Sequence, residues 1–252
     1  MKNVMKIRPY KIRKVPKLTE KQRQHRLQFA MARRHWTIDD WRNVLWTDES
    51  PYEIFHPPNP QNDRVWTDDA ANVPTTATVK YPLKVMVWGM MSYRALSELH
   101  VVPQKQSVNS EYYISEILSK TCADALNRRA ARGNVLQRRL LPDMSTAVLM
   151  QDGAPAHTAV ATQQWCRDNL QAFWSKEEWP GNSPDINPIE NLWSILQDEY
   201  DKLPPSTSIP SLTRNLKRAW ANISPLVLDN LVSSMPRRME TVIKMKGGHI
   251  GK

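Results

Sequence analysis

Three carboxylates in this chain are candidates for chemistry, because each lies beside a strongly predicted element. Asp48 ends the strand pattern NVLWTDE, and Asp152 ends the strand pattern AVLMQD. Glu190 lies in the first turn of the helix that follows the loop WPGNSPDINP. Open α/β sheets place their sites at the carboxyl ends of strands. The three side chains could therefore share one pocket that three rigid elements hold.

Carboxylates that share a pocket repel one another, and the repulsion raises at least one pKa unless a cation is present. Mg²⁺ and Mn²⁺ prefer oxygen ligands and usually keep waters for substrate phosphates. Two such ions about 3.5–4 Å apart can activate a nucleophile and stabilise the leaving oxygen of a phosphoryl displacement. A pocket of this kind would suit two-metal phosphoryl-transfer chemistry.

Each candidate also has an ordinary structural explanation. An aspartate often ends a strand and starts a turn. Glu190 could belong to a capping box in which Asn187 is the N-cap and Pro188 the first helical residue. His157, five residues after Asp152, could approach a substrate phosphate or could only pack and hydrogen-bond locally. These residues alone leave both explanations open.

Periodicity predicts which way the flanking elements face. Successive strand residues point to opposite faces, so Asp48 and Glu49 cannot both face one site while the strand stays regular. The segment that carries Glu190 repeats apolar residues at helical spacing, which predicts one buried face made of Ile189, Leu192, Trp193 and Leu196.

The other elements follow from the same patterns. Strands are predicted at 43–49, 83–92, 95–102, 147–152 and 171–174, and helices at 18–35, 36–41, 109–132, 155–170, 208–223 and 226–235, before a basic tail at 239–252. Strands followed by alternating strands and helices predict an α/β fold with a mixed β-sheet and helices on both of its faces.

Composition narrows the class of protein. The 252 residues contain no apolar run near the ~20 residues of a membrane span, and no apolar signal-peptide core follows the charged N-terminus. The only cysteines, Cys122 and Cys166, are too few for a disulfide framework and lack metal-binding spacing. We expect a soluble intracellular protein in a reducing compartment.

The positive charge is concentrated at the N-terminus. Residues 1–34 hold twelve of the 35 basic residues and one acidic residue, Glu20, which leaves 23 basic against 24 acidic residues in the rest. Such an arm suits a DNA phosphate backbone, although it could also be a solvated tail or, around KIRKVPK, a nuclear-import signal. We divide the chain into a basic arm at 1–35 and a domain at 36–252, with a proline-rich loop at about 56–82.

Several motifs together resemble a known family. VLWTDES, VMVWGMMS, QDGAPAH, SPDINPIENLW and NLVSSMPRRMETVIKMKGGH are similar to the catalytic half of mariner/Tc-type DNA transposases, DDE enzymes with a ribonuclease-H-like fold. The resemblance runs from about Leu18 to the C-terminus. It implies that Asp48 and Asp152 are the two metal-binding aspartates and that Glu190 is the closing glutamate, with two Mg²⁺ or Mn²⁺ ions.

The spacing leaves one rival ligand. Between Asp48 and Asp152 lie 103 residues, and between Asp152 and Glu190 lie 37, a little longer than the commonest pattern of Tc-type members. Asp185 is therefore a weaker alternative for the third ligand. Glu190 is preferred because it matches the IEN motif and starts a helix.

The resemblance also implies a function. Metal-activated water would hydrolyse a phosphodiester at a transposon end, and the released 3′-hydroxyl would attack target DNA, at a TA dinucleotide. The implied partners are DNA and a second copy of the chain, reached through the clamp-like loop at 56–82, with no membrane or small-molecule substrate. The segment at 56–82 could equally be a mobile surface loop. The nucleus is the expected location.

One departure from the family keeps other functions open. Family members carry paired helix-turn-helix modules ahead of the catalytic domain, whereas this chain begins at the linker. A catalytically silent remnant that binds DNA or another partner is therefore the alternative. Another two-metal nuclease of the same fold is a third reading, which the terminal motifs disfavour.

Overall fold

The computed structural model describes residues 15–54, 65–73, 83–122 and 140–250, and a five-stranded sheet forms its centre. The strands are β1 (Val44–Glu53), β2 (Lys84–Met91), β3 (His100–Val102), β4 (Val148–Met150) and β5 (Ala172–Phe173), arranged in the order β3-β2-β1-β4-β5. β1 pairs antiparallel with β2 and parallel with β4, β2 pairs antiparallel with β3, and β4 pairs parallel with β5. The sheet is therefore mixed, as predicted.

Helices cover both faces of the sheet. They are α1 (Glu20–Ala32), α2 (Ile38–Arg42), α3 (Ser110–Tyr112) with its π-helical continuation (Tyr113–Cys122), α4 (Pro155–Thr158), α5 (Val160–Asn169), α6 (Ile189–Asp201), α7 (Ile209–Asn222), α8 (Pro225–Ser233) and α9 (Met235–Lys244). None of the helices in the described ranges has the length and apolar composition of a membrane span.

Two hydrophobic cores follow from the alternation along the strands. Val44 and Trp46 of β1 pack on the face that α1, α2 and α6–α9 cover. Leu45, the residue between them, packs on the opposite face, against the π-helix, α4 and α5. All three side chains are fully buried, which explains the continuous apolar run of a strand covered on both sides.

β1 is longer than predicted, and this changes the position of Asp48. The strand was expected to end at Glu49, but it continues to Glu53 because β2 pairs with it along its whole second half. β4 pairs with β1 only as far as Trp46. Asp48 therefore lies in the middle of β1, just past the end of its parallel neighbour, rather than at the end of a strand.

Two helix predictions and the predicted basic tail need correction. The helix expected at 155–170 is broken at Ala159, whose ψ of 142° is not helical, and side chains of α5 bond the carbonyls left at the end of α4. The predicted basic tail begins within a helix, α9, which packs against α1. The helix expected at 109–132 is π-helical over Tyr113–Cys122, and its predicted arginine-rich end lies outside the described residues.

A buried arginine joins α1 to the C-terminal residues. Arg26, fully buried, donates to both carboxylate oxygens of Asp185 at 2.7 Å and to the carbonyl oxygens of Gly247 and Gly248. Gly247 has a φ of +79°, and a Cβ there would lie 2.0 Å from the Arg23 carbonyl oxygen, so only glycine fits. The arginine thus ties together segments that are far apart in sequence.

The predicted division into an arm at 1–35 and a domain at 36–252 stays a prediction. Within the first range, residues 1–14 lie outside the described residues, whereas Phe29 and Ala30 of α1 are buried in the core. Of the proline-rich loop at 56–82, only residues 65–73 are described. There the Trp66 side chain is fully exposed.

Candidate active site

One cavity brings the three predicted carboxylates together. It has a volume of about 480 Å³, and Asp48, Asp152 and Glu190 all contribute to its wall. The cavity lies past the end of β4, against the part of β1 that extends beyond it. The loop before α6 completes the wall, and Pro16 and Gln22 line it from the N-terminal side.

Two stacked tryptophans attach that loop to the core. Trp179, which lines the cavity, stacks on Trp174 with ring centroids 5.6 Å apart and planes within 8°. Phe29 of α1 meets both rings edge-on, at 5.2 Å from each. The loop that leads to Glu190 is therefore packed on the core rather than loosely attached.

Asp48 is buried and faces α6. Its Oδ2 accepts a 3.0 Å hydrogen bond from Nε1 of Trp193. Burial, and then the charge of Glu190, raise the pKa of Asp48 to about 8, although the bond from Trp193 opposes this. The sequence pattern predicts only that Trp193 lies on the buried face of its helix. It does not indicate the hydrogen bond from Trp193 to Asp48.

Asp152 is held from within its own loop and from α4. Its Oδ1 accepts hydrogen bonds from the backbone N–H of Ala154 at 2.8 Å and from Nδ1 of His157 at 2.6 Å. Burial alone would raise the pKa of Asp152, but the bond and the charge of His157 and the Ala154 bond outweigh it, so that the pKa lies below its usual value. Asp152 is therefore ionised at neutral pH.

His157 connects Asp152 to a second carboxylate. The ring is almost completely buried beneath Tyr113, and its Nε2 lies 3.2 Å from Oε1 of Glu49. Burial lowers the pKa of His157, but the charge of Glu49 and the bonds to both carboxylates raise it to about 10. The imidazole is therefore charged at neutral pH and donates from both nitrogens, so the geometry favours local hydrogen bonding over contact with a phosphate.

Asp48 and Glu49 face opposite sides of the sheet, which confirms the prediction from strand periodicity. Asp48 meets Trp193 of α6 on one side, and Glu49 meets His157 of α4 on the other. No role for Glu49 was predicted. Strand periodicity indicates only that the Glu49 side chain faces away from Asp48. Its partner, His157, lies 108 residues later in the chain, so no local pattern indicates the contact.

Glu190 occupies the first turn of α6, but the predicted N-cap is wrong by one residue. Pro188 takes the cap position, because the preceding residues Pro184–Ile186 form a 3-10 turn. That turn uses the backbone N–H of Asn187, which donates to the Pro184 carbonyl oxygen at 3.2 Å. The side chain of Asn187 still accepts a 3.4 Å bond from the N–H of Ile189.

Asp185, the rival third ligand, is engaged elsewhere. Besides the two bonds from Arg26, its Oδ2 accepts from the backbone N–H of Ile250 at 2.8 Å and lies 3.4 Å from Nδ1 of His249. Burial raises the pKa of Asp185, but the hydrogen bonds from Arg26 and Ile250 lower it by more. The pKa therefore lies below its usual value, and the group is ionised. Asp185 serves the structure of the loop.

The donor set of the cavity fits hard divalent cations. Asp48, Asp152 and Glu190 supply only carboxylate oxygens. The pKa of Asp48 is raised first by burial and then by the charge of Glu190, and a bound cation would offset both effects. Among the described residues, no three His, Cys, Asp or Glu side chains converge closely enough to hold an ion as they stand.

A second cavity of about 420 Å³ lies beside β3 and α7. Its wall includes Glu98, His100 and Lys217, but none of the three candidate carboxylates. It does not offer the set of acidic oxygens that the first cavity offers.

Comparison with families and relatives gives a consistent result. The model of a family described as DDE superfamily endonuclease matches residues 43–213, the part of the chain that contains all three carboxylates. The Tcb1 transposase of Caenorhabditis briggsae is 31% identical over 238 residues, which cover 93% of this chain and 79% of the relative. The Tc1 transposase of Caenorhabditis elegans is 27% identical over 241 residues, with the same coverage.

Solved structures match the fold. The Mos1 mariner paired end complex with Mn has a TM-score of 0.76 at 17% identity, covering 98% of this chain and 69% of that one. The catalytic domain of Mos1 mariner transposase has a TM-score of 0.66 at 14% identity, covering 94% and 99%. At such identities the likeness concerns the fold alone, and it confirms the predicted ribonuclease-H-like sheet flanked by helices.

Proposed function

The chain belongs to the DDE superfamily of endonucleases, among the mariner/Tc-type transposases, and from this membership we propose that it hydrolyses a DNA phosphodiester in the cavity described above. The observation that carries the proposal is the meeting of Asp48, Asp152 and Glu190 in the wall of one cavity. These residues come from β1, from the loop after β4 and from α6. Each is therefore placed by an element that packs on the core.

In this proposal Asp48, Asp152 and Glu190 hold two Mg²⁺ or Mn²⁺ ions. When bound, such ions activate a water nucleophile and stabilise the charge of the leaving oxygen. The chain's own part is to keep the carboxylates in place. Trp193 holds one oxygen of Asp48, and His157 holds one oxygen of Asp152.

The substrate we propose is a transposon end. Hydrolysis there releases a 3′-hydroxyl, which then attacks target DNA, at a TA dinucleotide, in a cut-and-paste reaction. The basic residues of the N-terminal arm bind the phosphate backbone, with strong salt dependence. Pro16, the second described residue of the arm, lines the cavity, which supports a role for the arm close to the cleaved strand.

Assembly and location extend the same proposal. The chain acts as a homodimer, with the clamp-like loop at 56–82 reaching the second copy. Trp66, within that loop, is fully exposed and is therefore available for such a contact. The protein acts in the nucleus, where its DNA substrate and the import signal around KIRKVPK would place it.

The test is metal-dependent nicking of DNA. The full chain is incubated with a plasmid that carries candidate transposon ends, with Mg²⁺, with Mn²⁺ or with chelator. We expect nicking only with metal, and its loss in Glu190→Gln. The matched control is Glu199→Gln, which changes a glutamate of the same helix whose partner is Lys202. Activity that survives Glu190→Gln removes Glu190 from the site.

A second candidate is a catalytically silent remnant that binds DNA through its arm. One observation favours it, namely that the described carboxylates do not converge at metal-binding distances as they stand. A melting temperature that does not respond to millimolar Mg²⁺ or Mn²⁺, together with salt-dependent DNA binding, would support this alternative.

A further inference from the structure

Asp48 has an unusual neighbour across the sheet. In the antiparallel pairing of β1 and β2, the residue opposite Asp48 is Gly89. A Cβ on Gly89 would lie 2.8 Å from Cη2 of Trp220 and 3.0 Å from Cη2 of Trp193. Side-chain carbons do not approach so closely without a shift of the rings. Because Gly89 has no side chain, the indoles of Trp193 and Trp220 can pack directly over β2, beside Asp48.

The two indoles are stacked on each other, and their polar ends have different partners. The rings of Trp193 and Trp220 have centroids 5.5 Å apart and planes within 23°. Nε1 of Trp220 donates to the backbone carbonyl oxygen of Ser97 at 2.8 Å, which anchors the outer ring. Nε1 of Trp193 donates to Oδ2 of Asp48 at 3.0 Å. Packing thus fixes the Trp193 ring, and the fixed ring aims its N–H at a carboxylate.

A hydrogen-bonded indole is not a general requirement of this core. Trp41, Trp46 and Trp88 are fully buried, and within the described residues their Nε1 atoms have no hydrogen-bond partner. The core therefore tolerates indoles that serve only as apolar volume. Trp193 differs because its N–H meets a carboxylate that lines the cavity.

Trp193 also lies one helical turn after Glu190. Both side chains belong to α6, so the helix that presents one candidate ligand also restrains another. A shift of α6 would move the two together. The helix thereby couples the position of Glu190 to the orientation of Asp48.

From this geometry we propose that Trp193 is a positioning residue, seated over Gly89, whose indole N–H fixes the Asp48 carboxylate for metal binding. The inference rests on the proposed function, because it takes Asp48 as a ligand. It goes beyond that function by assigning a role to a residue that does not itself bind metal or DNA. Groups that orient metal ligands typically contribute 10–100-fold to affinity.

The experiment measures Mn²⁺ binding to the full chain by titration calorimetry, without DNA. Trp193→Phe keeps an aromatic ring and removes the N–H, and we expect Mn²⁺ affinity to fall by about 10–100-fold. Trp220→Phe is the matched control, since it removes the same kind of bond from the stacked partner but leaves Asp48 untouched. We expect this control to lose much less Mn²⁺ affinity than Trp193→Phe, because the indole N–H that bonds Asp48 remains. Urea denaturation of each variant reports the stability of the fold.

If Trp193→Phe does not fold, replacement of Trp193 by 3-benzothienyl-alanine removes only the N–H, because sulfur takes the place of nitrogen in a ring of the same shape. We expect the same loss of Mn²⁺ affinity. Wild-type affinity in a folded variant without the N–H overturns the inference, and so does an equal loss in Trp220→Phe, which would assign the effect to packing.

The proposed function and the role of Trp193 can each fail without the other. A wild-type chain that binds Mn²⁺ but does not nick DNA contradicts the proposed function, while a weaker Trp193→Phe still supports the inference. A chain that nicks DNA and binds Mn²⁺ equally well with and without the Trp193 N–H supports the function and overturns the inference. Mn²⁺ binding that is unchanged in Asp48→Asn overturns the inference as well, because Asp48 is then not a ligand.

Discussion

His157 donates a 2.6 Å hydrogen bond from Nδ1 to Oδ1 of Asp152, and its other nitrogen lies 3.2 Å from Oε1 of Glu49. The buried imidazole therefore connects Asp152, in the cavity wall, to Glu49, which faces the side of the sheet opposite to Asp48. A charged histidine between two carboxylates fixes both of them. It also leaves Oδ2 of Asp152 as the oxygen that neither His157 nor Ala154 uses.

The two bonds of His157 can be separated by substitution. Asparagine places an amide N–H near Nδ1, so His157→Asn should keep the bond to Asp152 and lose the bond to Glu49. Glutamine places its amide near Nε2, so His157→Gln should do the reverse. We expect metal-dependent nicking and Mn²⁺ affinity to be lower in His157→Gln than in His157→Asn, by up to about 10–100-fold. Equal loss in both variants contradicts a specific role for the Asp152 bond.

The raised pKa of Asp48 predicts how stability depends on pH when no metal is bound. The folded carboxyl, with a pKa of about 8, holds its proton where the unfolded carboxyl, near 3.9, has lost it. Its contribution to stability is therefore complete below about pH 3.9 and is lost as pH rises through 8. In chelator at pH 8, we expect Asp48→Asn to raise the melting temperature, by about 2–4 °C for each kcal/mol recovered.

The melting temperature of the same variant should respond much less to metal than that of the wild-type chain. Mn²⁺ should raise the melting temperature of the wild-type chain, because the cation offsets the repulsion between Asp48 and Glu190. It should raise that of Asp48→Asn much less. Scanning calorimetry with and without Mn²⁺ measures both effects, and a lower melting temperature for Asp48→Asn in chelator would contradict the repulsion argument.

Loss of the Arg26–Asp185 pair should unfold the chain more easily. Both partners are largely buried, so Asp185→Asn leaves an uncompensated guanidinium and should cost about 3–5 kcal/mol in the free energy of unfolding. Urea denaturation measures the change. Lys202→Gln, which breaks the surface pair with Glu199, should leave the urea midpoint unchanged. Because the pKa of Asp185 is lowered, the stabilisation should be complete above about pH 3.9 and lost as pH falls further.

Trp66 should matter for assembly and not for stability. Its side chain is fully exposed, so Trp66→Ser should leave the urea midpoint unchanged. If the clamp-like loop reaches a second copy, the same variant should shift the chain from dimer to monomer in light scattering. Val15→Ser, another change at an exposed apolar residue of the described chain, serves as the control. A monomeric wild type at the same concentration would contradict the proposed homodimer.

The parts of the fold that depend on neighbouring residues could be predicted from the sequence. Alternation along β1 predicted that Asp48 and Glu49 face opposite sides, because side-chain direction in a strand is a local property. The helices predicted at 18–35 and 36–41 are present for the same reason, and capping boxes at Thr19 and Thr37 start them at Glu20 and Ile38.

What could not be predicted depends on contacts between distant segments. β1 runs past Glu49 because β2 pairs with it, and the break at Ala159 is stabilised by side chains of α5 that bond the carbonyls of α4. Residues 239–252 are predicted as a basic tail because of their lysines and glycines, but the first part of this range belongs to α9, one face of which packs on α1. The bond from Trp193 to Asp48 spans 145 residues, and no local pattern indicates it.

The contact between Arg26 and the C-terminal residues sets an order of events during synthesis. The side chain must wait for two of its carbonyl acceptors, the nearer of which lies 221 residues later. At about 5–20 residues per second, a ribosome needs roughly 11–44 s to cover that distance. Until then Arg26 lacks these two acceptors, and α1, which carries Gln22 of the cavity wall, lacks this tie to the C-terminal residues. A nascent chain released before residue 247 would therefore hold the buried Arg26 guanidinium with two of its hydrogen bonds unmade.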